Sequence, residues 1–280
     1  MLVKICVPSK ARAEIFSRKT LLVLRHTRLP WSVFVEPQDA VAYMKKVPSG
    51  NVVVLRMDNQ GLGYALYEIR KHCASTYEFV WKMDDDIHHW YQSSKTDTKE
   101  SQGGFLDSIA KILFQANRAL GDTLGGISFP NKLFHTDWRP FTHVNKMFST
   151  TFIVRTSNWL TPLCTKGYHE EFIASARLVL DNKIIPHVGL YCWAADLSSY
   201  PGGLQAFDRE SEQARFYCVL EEEFPHLASM TRRRQYTQKT GKVFTVTDKT
   251  VFNQLNAQKL SGKTLSELLK EIACLSKSRS

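Results

Sequence analysis

The stretch YEFVWKMDDDI, residues 77–87, decides how this chain is read. YEFVWKM has the apolar, aromatic-rich character of a buried strand, and Asp84, Asp85 and Asp86 follow it without a spacer. In a parallel sheet the ligand crevice lies beyond the carboxyl ends of the strands, so three acids at that point face a substrate. Adjacent carboxylates repel one another unless a cation offsets them, and hard oxygen ligands suit Mg²⁺ or Mn²⁺. A metal there could bridge a substrate diphosphate and stabilise the charge that develops as the phosphate leaves. The plainer use of the same residues is an exposed acidic turn or helix cap.

Working outward toward the N-terminus, LVKICVP reads as a first strand, WSVFVE (residues 31–36) as a second and NVVVLRM as a third. A helical segment ending in VLRHT separates the first two. Pro37, Gln38 and Asp39 start the next helix, expected to carry Val41, Ala42 and Met44. NQGLG then opens a helix in which Leu62, Leu66, Ile69 and Cys73 share a face. Strand and helix alternate four times before Ile87, which predicts an α/β fold with a mostly parallel sheet and helices on both faces.

Downstream, residues 91–104 form a polar loop ahead of a helix with Phe105, Ile109, Leu113, Ala116 and Leu120 at helical spacing. LGGISFP and KMFSTTFIVRT read as two further strands, Glu170–Leu180 as a helix, and IIPHVGLYCW as short strands. Asp208 can cap a late helix, and Thr264 with Glu267 makes a capping box for another, so the C-terminal region is expected to be a helical extension.

The chain has 280 residues, 43% of them hydrophobic and 23% charged, which excludes wholly disordered, collagen-like and coiled-coil proteins. Six scattered cysteines without a CxxC pair fit a reducing, cytoplasmic setting better than a disulfide-stapled secreted one. No apolar run approaches a membrane span. The net charge of +10 is unevenly placed, since residues 225–280 hold 11 basic and 3 acidic side chains. This points to a polyanionic partner, with nucleic acid ahead of phospholipid. Arg232, Arg233, Arg234 and Lys239, with Tyr236 nearby, can follow phosphates while the ring stacks on a base.

Four segments taken together, VPSKARA (7–13), NQGLGYAL (59–66), WKMDDDI (81–87) and GYHEEF (167–172), resemble nucleotide-sugar-dependent glycosyltransferases of the GT-A fold. Within that class the chain resembles the TET/JBP-associated glycosyltransferases, typically viral enzymes that glycosylate hydroxymethylated pyrimidines in DNA. The resemblance covers roughly residues 2–200. It implies a divalent metal, Mn²⁺ or Mg²⁺, on Asp84 and Asp86, with Asp85 near the sugar or ribose. It implies donor contacts from Pro8, Ser9, Arg12, Asp58, Asn59 and Gly61, and an acceptor-side acid at Glu170 or Glu171. The same two glutamates also suit the acidic first turn of a helix. His187 and His226 are candidates for the late third metal ligand of such enzymes, and His226 is carried as the metal residue. Trp138 and Arg139 join the basic segment as candidate DNA contacts.

The expected organisation is a catalytic domain over residues 1–205 and a basic region over 206–280 packed on it. The expected activity is transfer of a sugar from a UDP-sugar to the hydroxymethyl group of 5-hydroxymethylcytosine or 5-hydroxymethyluracil in DNA. The setting is the cytoplasm, that of the host if the source is viral, with no membrane partner and an open oligomeric state. Two alternatives stand beside it: a GT-A enzyme acting on protein or carbohydrate, and a non-catalytic DNA-binding protein with a degenerate transferase fold.

Overall fold

The computed structural model describes residues 2–92, 102–132, 143–144, 148–159, 170–195, 234–237 and 243–246. Its core is an eight-stranded sheet. Strands β1 (Val3–Ser9), β2 (Trp31–Val35), β3 (Val52–Val54) and β4 (Phe79–Lys82) form a parallel half in the order β3-β2-β1-β4. Period-2 alternation sends their side chains to two cores. Ile5, Val7, Val33, Val35, Phe79 and Trp81 face one side, and Cys6, Phe34 and Val80 the other.

The connections between these strands are helical and cover both faces. Helices α1 (Ala13–Arg18), α2 (Thr20–Leu24) and α3 (Ala40–Met44) pack Phe16, Leu21, Leu24, Ala40 and Tyr43 into the first core. Helix α4 (Leu62–Cys73) packs Ala65, Leu66, Ile69 and Cys73 into the second. Gly61 precedes α4 at φ +83°, a conformation that costs a side-chain-bearing residue energy, so the glycine makes the sharp strand-to-helix turn possible.

The second half of the sheet is mixed. Strand β8 (Phe152–Arg155) runs antiparallel to both β4 and β6 (Gly126–Ser128), and β6 pairs in parallel with β9 (Pro186–His187). The two-residue β7 (His143–Val144) closes the edge against β9. Helix α5 (Gln102–Leu120) joins the first core, and α6 (Glu170–Leu180) covers the second through Ile173, Ala174 and Ala176. Gly126 is required by close packing, because a Cβ there would collide with the Ile153 carbonyl. Arg155 ties this half together by donating to Glu78, Asn117 and the carbonyls of Gly121 and Leu124.

Helix α3 follows the Pro37–Asp39 turn and carries Val41, Ala42 and Met44 as expected, with Ala40 and Tyr43 as its buried positions. One sequence expectation changes. The segment IHHWYQ, which has no clean alternation, forms strand β5 (Ile87–Gln92) paired antiparallel with β10 (Tyr191–Ala195). That pairing places Trp90 edge-on to Trp81. In the basic C-terminal region the described residues are a hairpin of β11 (Arg234–Thr237) and β12 (Val243–Val246). The helices expected there lie outside the described residues.

Candidate active site

All four parallel strands end on the same side, and their exit loops are joined by hydrogen bonds. The crevice lies at the carboxyl ends of the neighbouring strands β1 and β4, where the strand order reverses: the chain runs from β1 to β2 and β3 on one side and then crosses back to β4 on the other, the position at which open α/β sheets take ligands. Ser9, at the end of β1, donates to Asp85 Oδ2 at 2.5 Å and is also hydrogen-bonded to the Tyr43 hydroxyl. Arg12 reaches the same carboxylate, with Nη1 at 3.1 Å from Asp85 Oδ1 and 3.9 Å from Asp86 Oδ2. The turn itself is pinned from behind, because Thr20 donates its hydroxyl hydrogen toward the carbonyls of Asp84 (2.9 Å) and Ile87 (3.2 Å).

The β2 and β3 exits complete this side. Lys10 Nζ donates to Glu36 and, at 2.7 Å, to Asn59 Oδ1. Gln38 donates its backbone N–H to Asp58 and its side-chain amide to Glu36 at 2.8 Å. Asn59 sits at φ +57°, which asparagine tolerates, and Ala11 at φ +53°, which alanine does not favour. Ala11 is held there by its N–H on Asp39 Oδ2 and by the Arg12 N–H on the Tyr43 hydroxyl.

The other wall of the crevice is the start of α6. Strand parity turns Lys82 toward the face that α6 covers, and its ammonium is buried. It lies 2.6 Å from Asp84 Oδ1, 3.1 Å from Glu170 Oε1 and 2.7 Å from the Thr150 carbonyl. Burial alone would lower its pKa, but Asp84 and Glu170 more than offset that and the net shift is upward. Glu170 is itself buried, and desolvation raises its pKa well above the ordinary range against the pull of Lys82; its hydrogen bond with Glu171 raises it further. Burial and Glu171 thus favour the protonated form of Glu170, and the Lys82 ammonium at 3.1 Å favours its carboxylate.

The three aspartates have different environments. Burial pushes Asp85 upward despite Arg12 and Ser9, and its carboxylate serves to join β4 to the β1 loop. Asp86 is pushed up to about 7, first by burial and then by the charges of Asp84 and Asp85. Among the described residues no three His, Cys, Asp or Glu side chains gather as a complete metal cluster. Asp84 and Asp86 nevertheless suit the kind of Mg²⁺ or Mn²⁺ site that takes one or two carboxylates and completes its shell with substrate phosphates and water. The excess negative charge around Asp86 is what such a cation would offset.

The structure therefore gathers the predicted residues at the strand ends in three bonded sets: Ser9 and Arg12 on Asp85 and Asp86, Asp58 and Asn59 through Gln38, Glu36 and Lys10, and Asp84 with Glu170 through Lys82. Pro8 and Gly61 lie beside it, at the end of β1 and the start of α4. His187 is buried, with Nδ1 2.7 Å from Ser128 Oγ on the neighbouring strand. Arg234 is placed by its backbone in β11. Trp138, Arg139, His226, Arg232, Arg233 and Lys239 lie outside the described residues. Sequence reasoning missed Lys82, Lys10, Glu36, Gln38 and Thr20. For Glu36 and Gln38 the available signal was their place immediately after an apolar strand; for Lys82 it was a lone cation inside one.

A Rossmann-like sheet with an acidic turn at its switch point and a second pair of acids across the crevice defines a protein of the GT-A-like α/β class. The chain belongs to the TET-Associated Glycosyltransferase family, whose model matches residues 3–156. No curated protein sequence matches it. Among solved structures the fold is similar to that of S. aureus TarS 1-349, at a TM-score of 0.52 and 15% identity over 100% of this chain and 74% of that one. It is similar also to the same protein in complex with UDP (TM-score 0.50, 17% identity, 79% and 64%) and with UDP-GlcNAc (0.53, 14%, 79% and 66%). The chain thus spans about two thirds of the length of those last two. Among the described residues no helix is long and apolar enough to cross a membrane.

Proposed function

We propose that this protein transfers a sugar from a UDP-sugar to the hydroxymethyl group of a modified pyrimidine, 5-hydroxymethylcytosine or 5-hydroxymethyluracil, in DNA. The observation that carries the reading is the Lys82 bridge, which sets an acid of the strand-end turn and an acid of the opposite wall on one ammonium. Membership of the TET-associated family supports the DNA acceptor, and the UDP and UDP-GlcNAc complexes of the similarly folded TarS support UDP as the nucleotide.

In this reading the exits of β1, β2 and β3 hold the nucleotide, with Ser9, Arg12, Asp58 and Asn59 on its side of the crevice. Asp84 and Asp86 would hold a divalent cation, which when bound offsets the charge of the departing diphosphate. The acceptor hydroxyl oxygen bonds to the anomeric carbon as the bond from that carbon to the diphosphate oxygen breaks. The hydroxyl proton passes to a carboxylate of the Glu170–Glu171 pair, with Lys82 against Glu170 favouring the ionised form that can accept it. The basic segment at Arg232, Arg233, Arg234 and Lys239, within a region over residues 206–280, would follow the phosphate backbone, with Trp138 and Arg139 as further DNA contacts. Catalysis is assigned to residues 1–205.

The test is mass spectrometry of nucleosides after incubating hydroxymethylcytosine or hydroxymethyluracil DNA with a panel of nucleotide sugars and Mn²⁺ or Mg²⁺. A mass gain of one sugar on one base is expected and names donor and acceptor together. No gain across the panel with folded protein overturns the reading.

A further inference from the structure

Lys82 is the one position in the inner strand β4 where an apolar side chain would be expected and a cation stands instead. Its neighbours along the strand, Phe79, Val80 and Trp81, are buried and apolar, and across the sheet it is in register with Cys6 and Phe152. A buried ammonium is costly unless it is paired, and pairing of this kind seldom adds net stability over well-packed apolar residues. The partners found are particular: Asp84 of the strand-end turn, Glu170 of the opposite helix start, and the Thr150 carbonyl that completes the ammonium's donors. Asp84 and Glu170 belong to segments 86 residues apart, and Lys82 touches both.

We propose that Lys82 is a positioning residue that sets the separation and orientation of the donor-side acid Asp84 and the acceptor-side acid Glu170. The assignment rests on the function proposed above for the roles of these two acids. Lys82 does not itself meet the sugar. It holds Asp84 Oδ1, so that the aspartate keeps one orientation toward the diphosphate side, and it holds Glu170 Oε1, so that the acid pair keeps its distance from the reacting carbon. An error of about 1 Å in such placement is worth on the order of 100-fold in rate.

The experiment compares the full-length wild type with K82M, E170Q and K82M/E170Q. Calorimetry measures UDP affinity in the presence of Mn²⁺, thermal melting reports folding, and turnover is expressed per folded molecule. K82M should weaken Mn²⁺-dependent UDP binding by about 10-fold or more, the size typical of losing a residue that orients a metal ligand, and lower turnover by on the order of 100-fold. E170Q should lower turnover while leaving UDP affinity within about threefold of wild type. The double variant removes both charges of a buried pair and so folds where K82M alone leaves acids uncompensated. It should show the same loss of UDP affinity as K82M. Wild-type UDP affinity in folded K82M or in K82M/E170Q overturns the assignment, because a merely structural lysine would change melting alone. If the wild type modifies no DNA, the proposed acceptor fails, and the UDP affinities still decide the role of Lys82.

Discussion

The Ser9 hydroxyl donates to the Asp85 carboxylate at 2.5 Å, across the gap between the carboxyl ends of β1 and β4. Both residues are buried, and the bond closes the back of the crevice at the point where the sheet's connections diverge. Removing the donor leaves a buried carboxylate with Arg12 as its remaining side-chain cation, 3.1 Å away. S9A is therefore expected to cost about 1–3 kcal/mol of stability. Urea denaturation measures this, and an unchanged midpoint would show that the bond contributes nothing net.

Asp84 and Asp86 should be the metal-dependent residues of the turn. Chelation with EDTA is expected to abolish sugar transfer, and added Mn²⁺ to restore it. D84N/D86N should not respond to Mn²⁺ at any concentration. Circular dichroism should show that this variant keeps its fold, since Thr20 still holds the turn through backbone carbonyls. Full activity in EDTA would remove the metal from the reaction.

His72 carries a pH signature away from the site. Its Nε2 lies 3.2 Å from the Lys4 ammonium, and burial, then that positive charge, hold its pKa below 6.5. The folded state thus binds fewer protons than the unfolded one as pH falls below 6.5. Stability from this residue is present above that value and is lost as pH drops through the folded pKa. Melting temperature measured between about pH 5 and 7.5 should fall less steeply on the acid side in H72Q than in wild type. Identical slopes would rule out the coupling.

The basic C-terminal segment should act on DNA and spare the donor. R232A/R233A/R234A is expected to weaken DNA binding and flatten its salt dependence, with a slope reduced by up to about 0.9 for each phosphate that is no longer neutralised. UDP affinity should stay as in wild type. Anisotropy titrations at several salt concentrations check this, and equal DNA affinity in the variant would detach the segment from the acceptor.

The fit between chain and fold was close wherever the information was local. The four parallel strands, α4 with Leu66, Ile69 and Cys73 inward, and α6 beginning at Glu170 all follow from periodicities of two and 3.6 in neighbouring residues. The exception was local as well: β5 has its two histidines where alternation would be looked for.

What the sequence by itself determined is the parallel α/β half, the acidic turn at the end of its fourth strand and the concentration of positive charge near the C-terminus. Only the tertiary structure decided that Asp85 turns inward to Ser9 and Arg12, that Glu36 and Gln38 join the site, and that Lys82 meets Glu170 as well as Asp84. The reason is physical. A strand's own residues dictate which side chains share a face, but which helix covers that face depends on strand order and on crossovers of many residues. No short-range pattern encodes the Lys82–Glu170 contact. It exists because β4 lies beside β8, α6 packs on the face to which Lys82 is turned, and a buried ammonium needs an acid there.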